Sequence, residues 1–189
     1  MIRLVAPLCA LALLLTACGD KSAGTGAQPL TPTSESPPIS STTTVPPSTS
    51  PGVPRCSAAT LSGTIQPADA GAGNRYATLV VTAKSRCTLY GYGGLQLVDT
   101  QGKPTPTNLV RTPNPGPALV TLQPGQTAHK TLHWTVVPTG DEPVTGPCEP
   151  SSAGATVIPP DETQPFTVIY EFGPVCDHGR IEGSAYFKP

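Results

Sequence analysis

From Cys56 to Pro189 the sequence runs in short stretches that alternate apolar and polar side chains, cut every few residues by glycine and proline. Leu61, Gly63 and Ile65 alternate with Thr60, Ser62 and Thr64. Ala77, Leu79, Val81 and Ala83 alternate with Tyr76, Thr78, Val80 and Thr82. Ala128, Leu132, Trp134 and Val136 share one side of a strand, with Lys130 as the exception, and His129, Thr131, His133 and Thr135 share the other. Phe166, Val168, Tyr170 and Phe172 repeat the theme, as do Ile181, Gly183, Ala185 and Phe187. A period of two sets one face against a core and the other toward water. No stretch holds a helical period. Gln123-Pro124-Gly125-Gln126 reads as a tight turn joining 118–122 to 127–137. Residues 103–117 and 138–150 read as long, proline-rich loops. The pattern predicts an all-β fold, an antiparallel immunoglobulin-like β-sandwich of about 7–9 strands.

The first residues have a different character. Arg3 gives a short positive start, and an apolar run from Leu4 to Leu15 follows. That run is shorter than the roughly 20 residues a membrane-spanning helix needs, and it fits the apolar core of a signal peptide. It ends in Leu15-Thr16-Ala17-Cys18, which resembles the lipobox of bacterial lipoproteins. The resemblance implies that residues 1–17 are removed and that Cys18 carries a diacylglyceryl group and an acylated amine. One acyl chain anchors a protein only marginally, and two or more hold it stably. Residues 18–55 carry no periodicity, and from Gln28 to Pro54 nearly all are Pro, Ser or Thr. Such a stretch cannot bury enough apolar area to offset its ordering entropy. It reads as a disordered tether, biased by its prolines toward an extended form that reaches on the order of 100 Å. A plain spacer and an O-glycosylated stalk both fit this composition.

Export exposes the remaining cysteines, Cys56, Cys87, Cys148 and Cys176, to oxidising conditions. An even set without Cys-x-x-Cys spacing points to disulfides rather than a metal. Of the three possible pairings, Cys56–Cys87 with Cys148–Cys176 is expected, because each joins strand ends that are neighbours in the chain. Trp134 lies between Cys87 and Cys148, but later than the immunoglobulin tryptophan. It therefore reads as ordinary core, and the immunoglobulin topology is not implied.

Several stretches carry a family resemblance: Gly73-Asn74-Arg75-Tyr76, Cys87-Thr88-Leu89-Tyr90-Gly91-Tyr92, Leu122-Gln123-Pro124-Gly125, Ala128-His129, the Trp134 strand, Pro159-Pro160 and Cys176. Together they resemble a domain of unknown function found in actinobacterial secreted lipoproteins. The likeness covers nearly all of 56–189, and departs at Ala83-Lys84-Ser85, where the family would place an Asn-containing turn. It implies an envelope location and a disulfide-bonded β domain, with no catalytic residues to carry over.

Candidate chemistry is sparse. His129 and His133 are spaced i, i+4, which on a helix would suit one metal ion. On a strand the same spacing is about 13 Å, too far for two ligands of one ion, so both read as exposed sheet histidines. His178, beside Asp177 and Cys176, reads as a solvated turn residue. Asp141-Glu142 and Asp161-Glu162 are paired acids in proline-rich loops and read as solvated too. No nucleophile elbow, spare thiol or phosphate-cradling loop is present. The chain is therefore expected not to be an enzyme, and no metal or other cofactor is implied. Tyr90 and Tyr92, in Tyr90-Gly91-Tyr92-Gly93-Gly94, are the candidate ligand contacts, since an exposed tyrosine offers an apolar face and a hydroxyl to a sugar or a protein. The alternative is that both rings pack over the end of the sandwich.

Lys and Arg number 11 against 12 Asp and Glu, a net charge of −1, with no basic run. Nucleic acid is set aside as a partner on that ground. The expected protein is a lipoprotein held at the outer face of the cell membrane through Cys18. There it would act as a non-catalytic module binding a wall glycan, a small ligand or an envelope protein. A structural or assembly subunit is the alternative, and a wall-acting hydrolase is a third reading.

Overall fold

The computed structural model describes residues 52–189. Residues 1–17, Cys18 and most of the expected tether lie outside the described residues. Ten strands follow one another: β1 (Leu61–Gly71), β2 (Asn74–Ala83), β3 (Cys87–Tyr90), β4 (Gly94–Val98), β5 (Asn108–Arg111), β6 (Leu119–Leu122), β7 (Thr127–Thr135), β8 (Gly154–Ile158), β9 (Phe166–Ile169) and β10 (Arg180–Gly183). They form a five-stranded sheet in the order β1-β2-β7-β10-β5, a three-stranded sheet β4-β8-β9 and a β3-β6 pair. One core joins them: Leu79, Val81, Leu132 and Trp134 from the large sheet meet Leu97, Val157 and Val168 from the three-stranded one. The all-β architecture is the one the alternation predicts, and the two disulfides are those expected from the cysteines.

The sequence pattern accounts for which faces are buried. Along β2, Ala77, Leu79, Val81 and Ala83 are buried, and β7 buries every second residue from Ala128 to Trp134. β1 is an edge strand, which is where Pro67 is tolerated, because a missing donor there breaks no ladder on the far side. A register shift between Pro67 and Asp69 marks the spot.

Five details differ from the sequence expectation. The strands among the described residues number ten, and β10 pairs with β5 in parallel, Arg180 opposite Asn108. β5 itself lies inside 103–117, which reads as loop because four residues are too few to display a period. The turn at 123–126 forms, with Gln126 N donating to Gln123 O. However, β6 pairs with β3 rather than with β7, so the turn crosses between sheets instead of closing a hairpin. Finally, alternation ends early after β10, where Ser184, Ala185 and Tyr186 are buried in succession, whereas after β9 it persists through buried Tyr170 although the strand stops at Ile169.

The expected disulfides both form. Cys56–Cys87 ties the start of the domain to β3, with Cα atoms 4.9 Å apart. Cys148–Cys176 ties the loop before β8 to the turn before β10, at 5.5 Å. Pairing begins just ahead of Cys56: Thr88 N donates to Pro54 O, and Arg55 bridges to Thr88 in parallel.

Candidate functional site

The tyrosine loop leaves β3 and enters β4, crossing from one sheet to another. It lines a cleft of about 470 Å³ together with Ile158–Glu162, Arg111 and Pro117. Main-chain geometry shapes the loop. Gly93 has φ +64°, and a Cβ there would lie 2.6 Å from the Ile158 carbonyl oxygen, so only glycine lets the two walls approach this closely. Tyr186 N donates to Gly91 O at 2.9 Å. On the opposite wall Glu162 N donates to Pro159 O, and Asp161 takes the left-handed conformation at φ 60°.

The two tyrosines have different roles. Tyr90 is 57% exposed and sits directly across from Leu119, itself 69% exposed. Opposed residues of an antiparallel pair share a face, so they form one apolar patch beside the cleft. Tyr92 is half-buried and fixed: its hydroxyl donates to Thr112 O at 3.1 Å, and the Arg111 guanidinium lies over its ring at 5.2 Å. Tyr92 is thus packed in place, whereas Tyr90 is left exposed.

Beneath the loop is a residue that sequence reasoning passed over. Lys130, the polar exception on the buried face of β7, is 1% exposed. Its Nζ donates to Tyr92 O at 2.9 Å and to Ser184 O at 2.6 Å, and it lies within 6 Å of the Tyr92 and Tyr186 ring centroids. Burial, and secondarily the charge of Arg111, lowers its pKa to about 8. The signal was the break in alternation itself, since a lone lysine among core positions must find acceptors. Arg111 was missed because its strand was read as loop.

The histidines are packed more closely than expected. His133 is half-buried, stacks on Tyr76 with centroids 4.5 Å apart, and reaches Asn74 Oδ1 at 2.9 Å and Glu182 Oε2 at 3.2 Å. His129 meets the Phe187 ring edge-on at 6.0 Å. Neither stands as a freely exposed sheet residue.

The acids divide as well. Asp161 is exposed on the cleft wall and pairs with Arg55 at 3.5 Å. Glu142, expected to be solvated, is only 7% exposed. It accepts from the main-chain N–H of Thr139, Asp177 and His178. Three converging N–H donors favour a carboxylate as their acceptor, which offsets the cost of turning a loop carboxylate inward. Burial opposes its ionisation, but the N–H bonds from His178, Thr139 and Asp177 outweigh it, and the pKa falls below the usual carboxylate range. His178 is exposed, with Nε2 3.4 Å from Asp141 Oδ1 and Nδ1 3.8 Å from Glu149 Oε1.

Residues 56–185 match the model of a family described as a domain of unknown function, DUF4232. No curated protein matches the chain, and neither does any solved structure.

Proposed function

Because the chain belongs to the DUF4232 family, which brings no activity with it, we propose from the cleft that this is a non-catalytic binding module of the cell envelope. The Leu15-Thr16-Ala17-Cys18 box supports a lipid anchor on Cys18 and a location on the outer face of the membrane. The observation that carries the binding reading is exposed Tyr90 beside Leu119, at the mouth of a cleft walled by Pro159 and Pro160. Large apolar side chains left in water next to a concavity mark interaction sites. Tyr90 supplies an aromatic face, while Arg111, Asp161 and Glu162 supply charge and hydrogen bonds. That mixture suits a wall glycan or an extended peptide, which present apolar faces and polar edges in turn.

The test is a thermal-shift and calorimetric screen of the oxidised protein against wall glycans and their peptide-bearing fragments. A ligand at 100 times its dissociation constant adds about 2.7 kcal/mol to stability. A saturable shift lost in Tyr90→Ala supports the reading, and a shift unchanged by Tyr90→Ala moves the site elsewhere. Fractionation of cells carrying Cys18→Ser tests the anchor: release to the medium is expected, and retention overturns it.

A structural or assembly subunit is favoured by a different observation. Ile169, on edge strand β9, is 72% exposed, and an unpaired edge with an exposed aliphatic side chain can accept another strand. Crosslinking on intact cells through a residue placed at 169 separates the two readings.

A further inference from the structure

From sequence alone His178 reads as a solvated turn residue, and the fold gives it companions from a distant loop. Glu142, Glu149 and His178 each offer one donor atom, and these atoms lie within 4.8 Å of one another. We infer that they form a binding site for a divalent transition metal of the zinc type, separate from the tyrosine cleft.

The set is not a plain acidic cluster, because an imidazole stands at its centre with its two nitrogens committed differently. Nδ1 faces Glu149 Oε1 at 3.8 Å, and Nε2 faces Asp141 Oδ1 at 3.4 Å. A metal-bound histidine typically gives its other N–H to a carboxylate, which fixes the ring and raises its basicity. Asp141 occupies that position. The Glu142 carboxylate is held in place by its main-chain donors, and its Oε1 accepts only the N–H of His178 at 2.9 Å. A carboxylate oxygen has room for a second partner.

The scaffold is stiff. Glu149 follows Cys148 and His178 comes two residues after Cys176, so the disulfide holds the two segments together. Asp177 and His178 are both left-handed, at φ 59° and 54°. Gly179 follows at φ +76°, where a Cβ would collide with the main chain of Pro106. Zinc–nitrogen and zinc–oxygen bonds of about 2.0–2.2 Å place donors roughly 3.3 Å apart in a tetrahedron. The donors, within 4.8 Å of one another, must close by up to about 1.5 Å to reach that spacing. Three protein ligands leave one position for water, as in exchangeable rather than closed structural sites. Calcium wants six to eight oxygens and fits poorly.

The experiment titrates the full-length oxidised chain with zinc against a chromophoric chelator and follows imidazole resonances by NMR. One zinc per chain is expected, with the His178 ring shifting on binding and the rings of His129 and His133 unmoved. Affinity should fall at least about tenfold in His178→Ala and in Glu149→Gln, and about tenfold in Asp141→Asn, which acts through the histidine. Both ligand variants should unfold like the parent in a chelator, since neither side chain holds the turn. Failure to bind, binding that survives His178→Ala, or a zinc shift at His133 instead of His178 overturns the site. The NMR readout needs no variant, so a misfolded substitution does not leave the question open.

Discussion

The ammonium of Lys130 and the main-chain carbonyl of Tyr92 are 2.9 Å apart, joining the core strand β7 to the loop that shapes the cleft. The second acceptor, Ser184 O, lies 54 residues further along the chain than Lys130. A neutral amine has two N–H donors for these two carbonyls, so the contact survives loss of the proton.

That loss sets an unusual pH response. The folded pKa, about 8, is below the ordinary 10.5. Under about pH 8 both states are protonated, and the fold bears the full cost of a buried charge. Above it the unfolded chain keeps a proton the folded chain has released, so stability rises with pH. Urea unfolding is expected to show a gain of about 2 kcal/mol between pH 7.5 and 9.5, absent in Lys130→Met. Above about pH 10 the trend reverses, because burial raises the pKa of Tyr170 and Tyr186 and the unfolded chain loses those protons first. A flat profile in the parent protein would rule this account out.

The two tyrosines should separate cleanly in mutagenesis. Tyr90→Ala is expected to weaken ligand binding while changing stability by no more than about 0.5 kcal/mol, as for other surface positions. Tyr92→Phe removes the hydroxyl bond to Thr112 O and should cost about 1 kcal/mol. Urea midpoints for the two variants, compared with their calorimetric affinities, check this.

Replacing both Cys148 and Cys176 by alanine opens a loop spanning 28 residues. A loss of about 3.6 kcal/mol is expected from chain entropy. Amide exchange at Asp177 and His178 should speed up with it, since the segment donating to Glu142 is no longer held at its other end. Exchange by NMR in the double variant and the parent makes the comparison.

Lowering the pH should act through Glu142 in the same sense as through Lys130, destabilising the fold, but in the acid range rather than near pH 8. A carboxylate whose folded pKa lies below 4.5 stabilises the fold above that pH. The contribution is lost as pH falls through the lowered folded value. Glu182 behaves alike, its pKa lowered by Arg180 and then by His133. Glu142→Gln is expected to destabilise the protein at neutral pH by about 1–3 kcal/mol, with the gap closing toward pH 3. Chemical unfolding at pH 7, 4 and 3 measures the gap.

What could be read from sequence is what depends on neighbours in the chain. Alternation announced β2 and β7, and the cysteine separations announced both disulfides. Tyr90 stood out because glycines flank Tyr92 beside it. Lys130 could not be interpreted the same way: its acceptors lie 38 and 54 residues away, and without them it is only an irregularity. Glu142 is similar, since two of the N–H groups that draw it inward lie 35 and 36 residues on. Arg111 was hidden because β5 exists only through its parallel partner β10, and four residues between prolines carry no pattern of their own.

β10 lies between β7 and β5 in the large sheet, although it is the last strand in the sequence. A chain made from its N-terminus therefore lacks an interior strand of this sheet until residues 180–183 have emerged. Tyr186, which caps the Gly91 carbonyl, arrives later still. Until then β5 has no neighbour, and the tyrosine loop lacks both Tyr186 and the Ser184 carbonyl. The topology thus makes the earlier strands wait: neither the large sheet nor the cleft loop can take its final form before β10 and the segment after it have been delivered.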